Sequence, residues 1–320
     1  MRFKFLNIGI LVAFLAAIFL AFMHSQDIQD WIRLRNYTAP ANIAAFVAQD
    51  SMTPKAQHIF YVTHPTLETN LGSFQKECAN SEQTIVLGCY RTGVASDSQL
   101  FIRDITDSRL QGVEQVTAAH EMLHAAYDRL GASQKQAIDT MLQDYYRTQL
   151  NDQRIKDTIE SYKKTEPDDL VNEMHSIFGT EISSLPAPLE EYYKQYFANR
   201  KQITDYAQAY EGEFTSRKAQ VDADDAKLAE LKTRIKTEEQ ALQEQLSALQ
   251  SDRASVENSN DQAAVNEYNS RVVSYNAGIR RLQSDISAYN TLVEERNQIA
   301  AELQSLQSSI DTRLTTQQAQ

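Results

Sequence analysis

His120 and His124 stand four residues apart, with Glu121 directly after the first, in the stretch TAAHEMLHAAYDRLG (117–131). Residues i and i+4 lie on one face of a helix, so the two imidazoles can hold a single zinc ion. Glu121 is turned about a third of a turn away, given 3.6 residues per turn, and reaches a water at the metal without being a ligand. A carboxylate so placed takes the proton of that water as it attacks a carbonyl. The spacing therefore points to zinc-assisted hydrolysis, with one zinc per chain, His120 and His124 as ligands and Glu121 as general base. The alternative is a helix carrying two structural histidines.

A catalytic zinc needs a third protein ligand and an open fourth position. A third histidine after the motif is missing, because Tyr127 and Leu130 stand where a glycine and that histidine belong. Glutamates are the next choice, and helical phase ranks them. In PDDLVNEMHSIFG (167–179), Glu173 shares a face with Leu170, Met174 and Ile177. A carboxylate on an apolar face is costly unless paired or coordinated, so Glu173 is the expected ligand. Its alternative role is a buried ion pair to Arg91 or Arg103. Glu160 lies beside the stripe of Ile155, Ile159 and Tyr162; Glu181 follows the expected helix end; Glu190 and Glu191 open a polar helix. Asp128, one turn past His124, reads as exposed or supporting. Tyr162, Tyr192, Tyr193 and His175 could each donate to an oxyanion, and the sequence does not choose among them.

The elements that must position these residues follow from pattern. HIFYVTHP (58–65), TIVLGCYR (84–91) and QLFIRDI (99–105) read as strands, rich in β-branched and aromatic residues. From Leu110 to Leu130 the apolar residues recur at helical spacing, with Gly131 as a stop. Further helices are expected near 134–150, opened by Ser133 and Gln136, near 153–163, and after Thr165, with Gly179 past the end of the last.

All six prolines precede residue 189, and only Gly212 and Gly278 follow it. There Val265, Tyr268, Val272, Tyr275, Ile279, Leu282, Ile286, Tyr289 and Val293 repeat in steps of three and four. Leu228, Leu231 and Ile235 begin a matching series upstream, and ENSNDQ (257–262) separates the two. The expected form is a coiled-coil hairpin; a parallel homodimer of interrupted helices, or a coiled-coil protein partner, is the alternative. The fold class is therefore α+β: a small sheet of about three strands with helices, followed by a long helical hairpin.

Residues 40–198 resemble a gluzincin-type zinc metallopeptidase, on the H-E-x-x-H helix and on NEMHS (172–176), similar to the N-E-x-x-S stretch of thermolysin-like enzymes. The resemblance implies a zincin-like domain cleaving peptide or protein substrates, with Glu173 as third ligand and Glu121 as base. It also implies a strand running antiparallel to the substrate beside the active helix, a role for which QLFIRDI (99–105) is placed. Where those enzymes carry an aspartate that supports a ligand histidine, this chain has Ile177, so that support must come from another group.

The run FLNIGILVAFLAAIFLAFM (5–23) has only Asn7 as a polar residue, and at about 1.5 Å per residue it is long enough to cross a bilayer. Arg2 and Lys4 precede it, and Asp27 and Asp30 follow. This predicts a single-pass membrane anchor with a cytoplasmic N-terminus and the bulk of the chain outside, as in a bacterial envelope; a cleaved signal peptide is the rival. Cys78 and Cys89, the only cysteines, are then expected to form a disulfide. The expected organisation is an anchor (1–24), a metallopeptidase-like domain (25–198) and a coiled-coil hairpin (199–320). Net charge is −12 without a basic stripe, which speaks against nucleic acid as a partner. The competing functional reading is an inactive envelope scaffold acting through its coiled coil.

Overall fold

The computed structural model describes residues 24–78, 85–93, 97–258 and 260–313, with Leu15 and Phe19. The chain is mostly helical, with one three-stranded sheet and a long C-terminal helical hairpin, an α+β arrangement. It divides into two units. One runs to Glu211 and takes the chain back from Ser309; the other is Gly212–Ser308.

The membrane-anchor expectation is corrected. No helix of the described residues is long and apolar enough to cross a membrane. The two that are long enough, Arg200–Glu257 and Gln262–Ile310, carry charges throughout. The 5–23 run itself lies outside the described residues apart from Leu15 and Phe19. A single-pass placement of this chain is therefore not supported.

The first unit begins with helices α1 (Ser25–Leu34), α2 (Ala41–Gln49) and α3 (Pro54–Val62). HIFYVTHP, expected as a strand, supplies the end of α3 with its residues 58–62 and leaves 63–65 beyond it. Thr53 caps that helix by accepting from the Ala56 N–H, and Pro54 occupies its first turn, where a missing N–H costs nothing. The first strand, β1 (Thr66–Glu68), comes directly after, followed by α4 (Leu71–Cys78), β2 (Gly88–Arg91) and β3 (Gln99–Arg103). The sheet order is β1-β3-β2, with β1 parallel and β2 antiparallel to β3. QLFIRDI is thus the central strand, occupied on both sides, and cannot offer an edge to a substrate. The outer strands of the sheet are β1 and β2.

Five helices complete the unit: α5 (Val113–Asp128), α6 (Ala132–Thr148), α7 (Gln153–Thr165), α8 (Leu170–Glu181) and α9 (Ala187–Tyr193). Gly131 caps the start of α6, its N–H donating to Gln134 Oε1, instead of ending α5. Gly179 lies inside α8. A Cβ there would meet Leu123 Cδ1 of α5 at 2.4 Å and Tyr193 Cε1 at 2.8 Å, so the glycine permits close approach. The core includes Phe60, Ile102, Met122, Leu123, Ile177 and Phe178, all nearly inaccessible.

Helix α10 (Arg200–Glu257) leaves this unit and α11 (Gln262–Ile310) returns to it. Within the second unit the two run antiparallel, joined by ion pairs Arg234–Asp285, Arg296–Asp225, Arg281–Glu238 and Arg271–Asp252. Partner numbers fall as the first numbers rise, which fixes the direction. Gly278 sits where a Cβ would press on Leu242 Cδ2 at 2.6 Å.

Back in the first unit, Thr312 fastens to the segment before β2. Its Oγ1 accepts from the Val86 N–H (3.0 Å) and donates to the Val86 carbonyl (2.7 Å). Gln75 Nε2 donates to the Thr312 carbonyl at 3.0 Å, and Ser309 Oγ to Asp107 Oδ2 at 2.9 Å.

Candidate metal centre

Helix α5 starts sharply because Gly112 adopts φ 97°, with Tyr206 filling the space a side chain would need. Glu114 in its first turn accepts the Ile105 N–H at 2.7 Å and ties the helix to the chain leaving β3. One turn apart on α5, His120 and His124 face α8. The close α5–α8 packing at Gly179 brings Glu173 opposite them.

The candidate donor atoms of the three residues lie close together. His124 Nε2 is 3.0 Å from His120 Nε2, Glu173 Oε2 is 3.6 Å from His120 Nε2, and Glu173 Oε1 is 3.4 Å from His124 Nε2. A tetrahedral zinc with bonds of about 2.0–2.1 Å separates its donors by about 3.3 Å, so the set fits one zinc ion. Glu173 Oε2 is buried and has no hydrogen-bond partner among the described residues, an orphan that a cation would satisfy. Two imidazole nitrogens and one carboxylate beside a cavity match in type the donor set of known hydrolytic zinc sites. Arg91 and Arg103, the alternative partners for Glu173, are engaged elsewhere: Arg91 with Glu77, Arg103 with the carbonyls of Glu68 and Thr69.

Burial pushes the Glu173 carboxyl up, but His124, His120 and the Tyr162 hydroxyl together outweigh it and hold the group below its ordinary value. Glu121, 7% exposed, behaves oppositely. Burial drives it up to about 7; His124 and the donating Tyr90 backbone N–H pull it down, while Glu173 adds to the rise. A carboxyl near neutrality is suited to accept and return a proton.

A cavity of about 490 Å³ opens over these groups, walled by α5, α7, the start of α8 and strand β2. Arg103 N–H donates to the Leu87 carbonyl, so Leu87, Cys89 and Arg91 spend their backbone groups on β3. Gly88 and Tyr90 then point theirs away from β3, toward the site. A Cβ on Gly88 would lie 2.8 Å from Glu121 Cγ and 2.5 Å from Thr117 Cγ2. The Cys78–Cys89 disulfide, with Cα atoms 5.7 Å apart, ties this strand to α4.

The oxyanion candidates separate cleanly. Tyr162 lines the cavity. His175, Tyr192 and Tyr193 form an aromatic cluster with Tyr127 and Tyr196 and do not line it. There the Tyr193 hydroxyl donates to the His175 carbonyl at 2.7 Å, and Tyr192 Oη lies 2.9 Å from His175 Nε2. Burial, with His124 and His120 adding, pushes His175 down to about 3, so it is neutral packing. The other glutamates weighed as ligands are paired outside the site: Glu160 with Tyr146 and Lys163, Glu181 with Arg154, Glu190 with Arg200, Glu191 with Lys194. Asp128 is exposed on the cavity rim.

Sequence reasoning missed Gly88 and the acceptors Asp169 and Asn172 on the cavity wall. A glycine inside the β-branched run TIVLGCYR was a legible signal of close backbone approach. Compared with protein-family models, with curated proteins and with solved structures, the chain finds no match.

Proposed function

We propose that this protein is a zinc-dependent metallopeptidase with a zincin-like catalytic domain. The observation that carries the reading is the convergence of His120, His124 and Glu173 on one point, with the Glu121 carboxyl and a free strand edge beside it. A bound zinc supplies a Lewis acid for the scissile carbonyl and acidifies water. Glu121 takes the proton from the attacking water and delivers it to the leaving amine. The backbone of Gly88 and the carbonyl of Tyr90 face an extended peptide, which adds to the sheet as a strand next to β2. Tyr162, against Glu173, orients that carboxylate.

The test is metal content and cleavage of an unfolded protein substrate measured side by side. Wild type is expected to hold one zinc and to cut in a chelator-sensitive manner. Glu121→Gln should keep the zinc and lose about 10²–10⁴-fold in rate, whereas Glu173→Ala should lose the metal. Zinc-loaded wild type that cuts no peptide would sink the reading and favour a zinc-stabilised scaffold.

A further inference from the structure

Only part of the outer side of β2 is open to a peptide. Successive residues of a paired strand turn their backbone groups to opposite sides, and Leu87, Cys89 and Arg91 face β3. Val86, Gly88 and Tyr90 therefore face outward, and all three line the cavity. At Val86 both groups are taken: its N–H donates to Thr312 Oγ1 at 3.0 Å, and its carbonyl accepts from the same hydroxyl at 2.7 Å. One side chain thus makes the pair of bonds that a residue of an added strand would make. At Tyr90 the N–H donates to the Glu121 carboxylate. Gly88 and the Tyr90 carbonyl are what the edge still offers.

Thr312 is firmly seated. It is 8% exposed, and Gln75, itself 7% exposed, donates from Nε2 to the carbonyls of Thr312 and Arg313 at 3.0 and 3.2 Å. Gln75 belongs to α4, whose Phe74 and Cys78 pack with Val86, Cys89 and Phe101 in an apolar cluster. A peptide reaches the Val86 backbone only by displacing the Thr312 hydroxyl from both bonds, an exchange with no net gain in hydrogen bonds. We infer that Thr312 is a specificity-determining residue, an end stop supplied by this chain that closes the peptide-binding edge of β2 on the Val86 side. The substrate residue opposite Gly88 pairs in full, and residues two or more beyond it on that side gain no backbone pairing. The chain runs from Val86 to Arg91, so for a peptide antiparallel to β2 the closed side is the carboxyl side. This deepens the metallopeptidase reading and rests on it.

Two measurements test the end stop. Hydrogen exchange on the unliganded protein reads the Val86 amide, which should be protected in wild type and in Thr312→Ser and exchange at least tenfold faster in Thr312→Ala. Equal exchange in wild type and Thr312→Ala overturns the end stop, whether or not the protein cuts peptides. The second measurement is kcat/KM for a peptide that wild type cuts, blocked at both ends, beside versions lengthened by two alanines on the amino or the carboxyl side. In wild type, lengthening on the closed side should change kcat/KM less than twofold. In Thr312→Ala, or in its combination with Gln75→Ala, matched to wild type in zinc content and circular dichroism, the same lengthening should raise it at least tenfold. Lengthening on the other side should act alike in all these proteins. A tenfold gain on both sides in wild type overturns the end stop, as do variants that treat every peptide as wild type does. A zinc-loaded wild type that cuts no peptide removes the metallopeptidase reading and the end stop with it; a protected Val86 amide then marks the reading as what failed.

Discussion

Replacing Gly88 by alanine tests the link between strand β2 and Glu121 without touching a metal ligand. The added Cβ would stand 2.5 Å from Thr117 Cγ2, 2.8 Å from Glu121 Cγ and 3.0 Å from Glu121 Oε1, where ordinary contact begins at 3.4 Å. The shortfalls are about 0.9, 0.6 and 0.4 Å. Thr117 cannot easily turn away, because its hydroxyl donates to the Val113 carbonyl at 2.8 Å and fixes its rotamer. Glu121 and β2 must therefore yield. Overpacking of this size costs about 1–3 kcal/mol. For a domain of this length that lowers Tm by roughly 2–10 °C. Displacing a catalytic group by about 1 Å costs up to ~10²-fold in rate. The expected Gly88→Ala protein holds its zinc, melts a few degrees lower and loses kcat/KM by one to two orders of magnitude. Zinc content, thermal denaturation and peptide cleavage on one preparation check this. A variant with wild-type Tm and full activity would refute the close approach of Gly88 to Glu121.

Three further outcomes are expected. Gly179→Ala pushes a methyl against Leu123 and Tyr193, so it should cost about 1–3 kcal/mol and weaken zinc binding by spreading α5 from α8; equilibrium dialysis with a thermal melt reads both. Asp50 is fully buried, neither carboxylate oxygen has a hydrogen-bond partner among the described residues, and burial holds its pKa well above the ordinary value. The fold accommodates the protonated acid, so its contribution is present below the unfolded value near 4 and is lost as pH climbs through the raised folded value. Asp50→Asn should therefore raise Tm at pH 7–8 and change it little at pH 4; a gain that is the same at both ends contradicts the assignment. Breaking the Cys78–Cys89 disulfide, whose partners are 11 residues apart, should cost about 3 kcal/mol, read as the shift of a urea transition on adding reductant.

The grouping of His120, His124 and Glu173 was more legible in the sequence than the sheet was. Two histidines at helical spacing and a glutamate on an apolar stripe are local patterns, and helical phase alone brings each to the correct face. Strand assignments fared worse because a short apolar run does not declare its period. HIFYVTHP has the composition of a strand, yet Thr53-Pro54 four residues upstream is a helix start, and the capped helix prevails. The edge role went to QLFIRDI because order along the chain says nothing about order across a sheet. The long hairpin was legible from its repeat and the absence of proline, and the ion pairs agree with its antiparallel direction. Asp169 carried no signal, since its place on the cavity wall depends on tertiary packing.

The return of the chain at Thr312 sets a schedule. Val86 and its clamp are 226 residues apart, so the segment leading into β2 waits until the intervening residues are made. At about 5–20 residues per second, that wait is on the order of 10–40 seconds. Meanwhile His120, Glu121, His124 and Glu173 have all left the ribosome, and the hairpin, which brings its own ends together, spares the closing loop much of its entropy. The anchorage of the strand beside Glu121 thus comes after the candidate centre is made, so a chain stopped just short of Thr312 would carry His120, Glu121, His124 and Glu173 and leave Val86 unclamped.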